Sequence, residues 1–413
     1  MIDHELQATT EPGRRFVAMA EEHAKDFATR ADQHDREASF PFENIKALQE
    51  SGFLAAMIPE EFGGLGVESR LDQMIGMSRL ARGCASSAIA ANMHIAATGV
   101  MSRMWRWREG QPPQITSAVE ALMRAIGARQ LITCAPGTEA GTDLQSPMTE
   151  GVPDGDHYIV NGRKMFGTLS PAAQLMFVTF RIPDGDGYQS SMGIIPSGAP
   201  GVTNKNNWDA MGMRASGSHD IVFENVRIPA ASVLPPRPWG VFDGSGADMG
   251  VALNGSLVAC FLGIAEAARN LAIEMTGRRK GPKGMRLADR APIQQLIAEI
   301  EVELMAGRAV VERAGRISDE YFDQYRLGEA PNDVSFALMK EQQCMKWTLQ
   351  RNAISIVDKA MTATGGSAYM NGSPFSRLYR DVRAGPFMQP FAPYEALEFI
   401  GKFTLGLDPA PDR

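Results

Sequence analysis

The spacing of apolar residues changes twice along this chain, and that change constrains the fold more than any other feature. Up to about residue 130, apolar side chains recur at three- and four-residue steps. Phe16, Met19, Ala20, His23 and Phe27 lay out one helical face. Pro41 opens a second helix carrying Phe42, Ile45 and Leu48, with Gly52 just past its end. Leu71, Met74, Ile75 and Leu80 mark a third, and Ile89, Met93, Ala96, Val100 and Met104 a longer fourth. From 131 to 240 the runs become short, β-branched and aromatic: Tyr158-Ile-Val160, Leu175 to Phe180, Ile194-Ile195 and Ile221-Val-Phe223. They are separated by the turn signals Pro153-Asp-Gly-Asp156, Asn161-Gly162 and Pro183-Asp-Gly-Asp-Gly187. After Leu234-Pro-Pro-Arg-Pro238 the helical period returns, near 248–277, 291–326, 332–364 and 391–405. The expected fold is α+β: an N-terminal helical domain (1–130), an antiparallel β-domain (131–240) and a C-terminal four-helix bundle (241–413). A chain of 413 residues is too long for one core, which agrees with several domains.

Composition excludes several function classes. A net charge of −7 argues against a general nucleic-acid or anionic-membrane binder, although a local basic loop can still capture a phosphate. The longest uncharged apolar stretch, Met249 to Ala265, is interrupted by Asn254, Gly255 and Ser256 and reads as a buried core helix rather than a span. The polar N-terminal segment shows no apolar signal region. Four scattered cysteines (Cys84, Cys134, Cys260 and Cys344) suit a reducing compartment, and a cytoplasmic location is expected. The histidines have no metal-ligand spacing, so no metal site is expected. GxGxxG with an acidic partner, GxxxxGK[ST] and GxSxG are absent, which removes the usual nicotinamide, P-loop and α/β-hydrolase readings. Trp105-Arg-Trp-Arg108 follows an apolar helix in an acidic chain and is read as packing rather than base stacking.

Five segments in fixed order carry more specific information. They are Ile58-Pro-Glu-Glu-Phe-Gly-Gly-Leu-Gly66, Ile132-Thr-Cys-Ala-Pro-Gly-Thr-Glu-Ala-Gly-Thr-Asp143 and Asn161-Gly-Arg-Lys-Met-Phe-Gly-Thr168. Next comes Asp209-Ala-Met-Gly-Met-Arg-Ala-Ser-Gly-Ser218 with Val222-Phe-Glu-Asn-Val-Arg-Ile-Pro229, and last Thr364-Gly-Gly366 with Tyr379-Arg-Asp-Val-Arg383. Together they resemble the signatures of the acyl-CoA dehydrogenase superfamily and cover most of the chain.

The resemblance implies FAD, with the flavin ring between β-domain and bundle. Carried over position by position, it implies flavin contacts from Thr133, Ala135, Thr142, Phe166 and Thr168, with Phe166 replacing the usual tryptophan. It implies that Arg279, in the basic run Arg278-Arg-Lys280 with Lys283, Arg286 and Arg290, reaches the pyrophosphate of a neighbouring subunit's cofactor. Gly365 and Gly366 would let the backbone approach the ADP part. A homo-oligomer, dimer or tetramer, is expected, as is an electron-accepting flavoprotein or a flavin reductase as partner.

The pattern breaks where the chemistry should be. Acyl-thioester dehydrogenation needs an ionised carboxylate within reach of the α-proton. Gln389 stands where many members keep that glutamate, and Leu253 stands at the alternative place, beside Asn254. Glu395, Glu398 and His94 are the remaining candidates, and a histidine at the helical position of His94 lines the flavin pocket in the monooxygenase-like branch. Three readings follow: a dehydrogenase of an acyl thioester with a displaced base, a flavin monooxygenase or oxidase on the same scaffold, and a non-catalytic flavin-binding subunit. The first is the leading expectation.

Overall fold

The computed structural model describes residues 4–110, 113–281 and 284–410. The first helical layer comprises α1 (Glu11–Ala28), α2 (Ala31–Glu37), α3 (Phe42–Ser51), α4 (Arg70–Gly83), α5 (Ala85–Arg106) and α6 (Pro113–Gly127). Thr10 caps α1 by accepting the Gly13 N–H at 3.0 Å, and the expected face is buried through Phe16, Ala20, Ala24 and Phe27. Pro41 precedes α3 and Gly52 closes it with a left-handed backbone, as the sequence predicts. α4 and α5 are buried almost all round, so they lie inside the molecule rather than on its rim.

The middle of the chain is one eight-stranded sheet. Its strands are β1 (Thr133–Cys134), β2 (Glu150–Asp154), β3 (His157–Gly167), β4 (Leu175–Asp184), β5 (Gly187–Pro196), β6 (Val202–Asn204), β7 (His219–Pro229) and β8 (Arg237–Pro238). They run in the order β6-β7-β3-β2-β4-β5-β8, with β1 beside β4. Most ladders are antiparallel, while β1 and β2 each meet β4 in parallel. The Pro153 and Pro183 turn signals become two-residue hairpins, pairing Asp154 with His157 and Asp184 with Gly187. Asn161-Gly162 does not make a turn. It sits inside β3 at a register shift opposite β7, where the Asn161 carboxamide accepts the Asn225 N–H at 2.8 Å. A side chain that fills the slack of a bulge replaces the hairpin the dipeptide suggested.

The last layer holds α7 (Gly244–Arg278), α8 (Ala291–Gln324), α9 (Asn332–Thr364), α10 (Pro374–Val382) and α11 (Pro393–Thr404). α7 is the one helix among the described residues long and apolar enough to cross a membrane, but its most apolar window is 83% buried within the fold. It is the central core helix, packed by α4 and α5 on one side and by α8 and α9 on the other. Gly263 permits that approach, since a Cβ there would meet the Ser78 carbonyl oxygen at 2.0 Å.

Within this apolar helix Glu266 is 1% exposed and accepts three guanidiniums: Arg79 at 3.2 Å, Arg82 at 2.6 Å and Arg308 at 2.9 Å. Removing one partner from a buried network strands the others without compensation. Glu266→Ala is therefore expected to destabilise the fold by about 3–5 kcal/mol. Glu301→Ala, which breaks the half-exposed pair with Arg269, is expected to change it by less than about 1 kcal/mol. Chemical denaturation of both variants beside the parent protein measures the difference, and equal midpoints for the two would refute the assignment.

Candidate functional site

The first signature strand of the β-domain is held from behind. Thr133 is fully buried on β1, and His94 of α5 accepts its backbone N–H on Nδ1 at 2.9 Å, with the Thr133 hydroxyl at 3.1 Å from the same nitrogen. Burial pulls the His94 imidazole down to about 4, against the backbone of Thr133 and Leu54. An Nδ1 that accepts a backbone N–H leaves the ring neutral with its proton on Nε2. His94 thus locks α5 to β1 and has no basic nitrogen free to take a substrate proton.

The rest of the signature loop is stapled to β3. Burial raises the Glu139 carboxyl, but Lys164 and the Thr149 N–H outweigh it and keep it below its ordinary value. Its oxygens accept the backbone N–H of Met148 at 2.7 Å and of Thr149 at 3.1 Å, and its ion pair with Lys164 is wholly buried. Thr142 closes the adjacent turn by donating to the Ser146 carbonyl at 2.5 Å. Ala135 lies half-buried between these anchors.

These constraints present Phe166 and Thr168. β3 slips register between Lys164 and Gly167, and Phe166 in that slip has φ of +53°, a left-handed conformation that a bulky aromatic residue rarely adopts. Its ring is 52% exposed and edge-on to Trp208 at 6.0 Å. The Thr168 hydroxyl pairs with Ser218 at 2.8 Å, and Ser218 with Ser216 at 2.6 Å. Thr138 bridges to Met165, so the two β-signatures lie side by side. An exposed aromatic wall beside a chain of hydroxyls suits a planar ring with polar edge atoms.

The segment 208–218 that supplies Trp208, Ser216 and Ser218 is clasped by two other domains. Asp381 of α10 accepts the Met213 N–H at 2.7 Å, and Arg380 donates to the Met211 carbonyl at 3.0 Å and to Asp35 of α2 at 2.9 Å. Arg214 returns to the Asp35 carbonyl at 2.8 Å. Burial raises Asp381 to about 6 even with Arg377 beside it.

A small cavity of about 10 Å³ lies between α7 and α9, and its lining residues Asn254 and Pro390 are next in sequence to Leu253 and Gln389, the two places normally held by glutamate. Gly250, Asn254, Met339, Gln343, Lys346 and Pro390 line it, and Gln389 is half-buried next to Pro390. No carboxylate is among its lining residues. Glu395 is occupied in capping α11, where it accepts the Ala392 N–H at 2.6 Å, and Glu398 pairs with Lys402 at 2.6 Å. The charged group present is a cation. Lys346 is buried, donates to the Met388 and Phe391 carbonyls, and is pulled to about 8 by burial against the attraction of Glu395. The interior beyond is polar: Gln73 donates to Ser256 at 3.2 Å and Ser256 to Asn92 at 2.6 Å, while Asn92 Nδ2 and Gln342 Oε1 are buried without partners. Sequence reasoning passed over Lys346, Trp208 and this chain.

Arg279, Gly365 and Gly366 come together. Arg279 donates to the Thr364 carbonyl at 2.9 Å, and Gly365 has φ of +79° with open space around it, a conformation that favours glycine. This corner lies about 37 Å along α7 from Asn254. Lys283 lies outside the described residues, Arg286 pairs with Asp289 at 2.7 Å, and Trp105 packs edge-on to Phe62 at 5.2 Å.

Known proteins share this arrangement throughout. The descriptions "Acyl-CoA dehydrogenase, N-terminal domain", "middle domain" and "C-terminal domain" match residues 10–104, 134–226 and 256–389. The chain belongs to the acyl-CoA dehydrogenase superfamily of flavin oxidoreductases. It is 31% identical to the amino sugar nitrososynthase DnmZ of Streptomyces peucetius, over 96% of this chain and 94% of that protein. It is also 31% identical to the L-evernosamine nitrososynthase of a Micromonospora species, over 98% and 93%. The solved structure of KijD3 in complex with FMN and dTDP-3-amino-2,3,6-trideoxy-4-keto-3-methyl-D-glucose superposes with a TM-score of 0.89 at 30% identity, over 97% of this chain and 95% of that one. These similarities support a flavin oxidoreductase of this fold and do not by themselves support acyl-thioester dehydrogenation.

Because His94 binds its proton less readily in the folded state than in the unfolded chain, the fold loses stability as pH falls from about 6.5 towards 4 and holds it above that window. His94→Gln is expected to remove that part of the acid sensitivity. Denaturation midpoints across this range compare the two proteins, and parallel profiles would sink the assignment.

Proposed function

We propose that this chain is a flavin-dependent monooxygenase that oxidises the amino group of a polar small molecule, with an amino sugar as the substrate class. The observation that carries the reading is the cavity of Asn254, Lys346 and Pro390, which offers a buried cation where α-proton abstraction needs a carboxylate. An amine attacks an electrophilic oxygen only through its free lone pair. A buried ammonium nearby disfavours the protonated form of a substrate amine, and no lining carboxylate restores it. Asn254, whose amide donates to the Gly250 carbonyl at 2.8 Å, keeps a carbonyl oxygen to orient an N–H. The unpartnered polar atoms of Asn92 and Gln342 suit hydroxyls and are costly next to an acyl chain.

Reduced flavin, when bound, would supply the electrons with which dioxygen is activated. Ala135, Thr142, Phe166 and Thr168 would hold the ring side, with Thr133, fully buried against His94, supporting them from behind. The exposed Phe166 and the Thr168–Ser218 pair support that role. FMN is sufficient in this reading, because the Arg279–Gly365–Gly366 corner is far along α7 from the cavity. With FAD, that corner would serve the cofactor of a second copy. A flavin reductase is the expected redox partner.

The test supplies reduced flavin and oxygen together with nucleotide-linked amino sugars, and reads oxygen uptake and N-oxidised product by mass. Substrate-dependent uptake is expected, and an anaerobic panel of acyl-CoAs is expected to leave the flavin oxidised. Bleaching by an acyl-CoA without oxygen would overturn the reading. Gln389→Glu places a carboxylate by the cavity and is expected to lower amine oxidation by about tenfold or more at neutral pH, with recovery as pH rises. An unchanged pH profile would count against the free-amine argument. Arg279→Ala is expected to leave FMN affinity unchanged while weakening FAD affinity, as flavin titrations would show.

A further inference from the structure

The seam between α7 and α9 is small-sided on one helix and polar on the other. Met339, Gln342, Gln343 and Lys346 stand three and four residues apart along α9 and share one face. That face meets α7 at Gly250 and Gly255, and the cavity of about 10 Å³ lies between them. A Cβ at Gly250 would come within 3.0 Å of the Met339 methyl carbon, and one at Gly255 within 3.5 Å of Gln342 Oε1. The two glycines therefore keep this space open.

Three polar groups of the lining are left incomplete. Gln342 Nε2 donates to the Ala314 carbonyl at 3.2 Å and to the Ser318 hydroxyl at 2.8 Å. A carbonyl can only accept, so the amide orientation is fixed, and Oε1 is buried with no partner among the described residues. Gln343 is 1% exposed; its Nε2 lies 3.5 Å from the Met339 sulfur, and its Oε1 is likewise without a partner among the described residues. Lys346, 3% exposed, has three N–H donors. Two go to the Met388 and Phe391 carbonyls, which leaves the third without an acceptor among the described residues. Unmatched, each of these groups is costly inside a protein.

We propose that this cavity binds one water molecule, which donates to Gln342 Oε1 and Gln343 Oε1, accepts the third N–H of Lys346, and thereby positions the lysine and holds it charged. The unmet demand is two acceptors and one donor, and water answers it in full. A metal cation or an ammonium ion is repelled by Lys346, and an anion is repelled by the two carbonyl oxygens. The volume is close to what one water needs, and about three hydrogen bonds are usual for a buried water. Burial pulls Lys346 to about 8, and the charged group acting against it is Glu395 of α11. Gln342 and Gln343 make no direct hydrogen bond to the ammonium, so any influence they have on its proton passes through the shared water. The inference does not rest on the amine-oxidation reading. Under that reading, a substrate hydroxyl reaching Gln342 replaces this water one for one.

A crystal structure of the full chain, together with titration of the Lys346 side chain by carbon NMR (its signal assigned by its loss in Lys346→Met), tests the proposal without turnover. One solvent oxygen within hydrogen-bond distance of all three groups is expected in the parent protein. Gln343→Met keeps the shape and removes one acceptor. It is expected to empty the site and to lower the proton affinity of Lys346 by about tenfold, one pH unit. Gly250→Ala leaves every polar group in place, points a methyl group towards Met339 and favours the helix. It is expected to expel the water and to lower the proton affinity of Lys346 in the same direction, with no loss in thermal melting temperature. That combination is one that a merely structural role of the glutamines does not produce. A parent cavity without solvent density, or a Lys346 titration unchanged in both variants, would overturn the proposal.

Discussion

A single carboxylate buried in an apolar helix organises much of this molecule. Glu266 is reached by Arg79 and Arg82 from α4 and by Arg308 from α8, and Glu5 adds its carboxylate to Arg79 and Arg82 at 2.9 Å. An ion network of this kind contributes little net stability over a well-packed apolar core, but it tolerates far fewer alternatives in register. The central stretch of α7 is apolar, and apolar contacts alone define register weakly. The carboxylate at 266 and the close backbone approach at Gly263 define it more sharply. The registration then propagates. With α4 fixed on α7, Gln73 meets Ser256, Ser256 meets Asn92 of α5, and two residues further along α5 His94 meets Thr133. One helix therefore sets the distance between the β-domain wall and the bundle cavity.

How much of this was legible depends on the range of the interaction. The helices expected at 332–364 and 248–277 are found at Asn332–Thr364 and Gly244–Arg278, because their limits are written locally in Pro331, Gly365 and the cap at Asp243. The last bundle helix, expected at 391–405, is found at Pro393–Thr404, with the shorter α10 standing apart from it. The parallel pairing of β1 with β4 was not legible, since a two-residue strand has no period. Nor was the fate of Lys346. A lysine at helical spacing reads the same whether it reaches water or turns inward, and its acceptors, the Met388 and Phe391 carbonyls, lie more than 40 residues away in a loop.

The site was legible in outline for a different reason. Loss of a glutamate is visible at the position where it should stand, so Gln389 and Leu253 already weakened thioester chemistry. What replaces the carboxylate is a property of the assembled cavity: Lys346 on α9, Asn254 on α7 and the loop at Pro390 come from separate stretches of sequence. His94 shows the converse. Its position suggested a pocket-lining group; the ring is fully buried, its Nδ1 accepts a backbone N–H that ties α5 to β1, and its Nε2 has no protein partner among the described residues.

The strain at Phe166 connects these parts. A left-handed phenylalanine persists only where its surroundings over-determine it. Here β3 is pinned at Lys164 by Glu139, at Thr168 by Ser218, and at the ring edge by Trp208. Trp208 and Ser218 belong to the segment that Asp381, Arg380 and Asp35 clasp from two other domains. The exposed face of Phe166 is thus held out by contacts gathered from the whole chain. A surface aromatic with no ligand to meet gives no return for that strain, whereas a planar cofactor stacked or edged against it does. The same clasp holds α10, which leads into the loop whose Pro390 lines the cavity of Asn254 and Lys346, so the proposed cofactor wall and the proposed substrate cavity rest on a shared set of contacts.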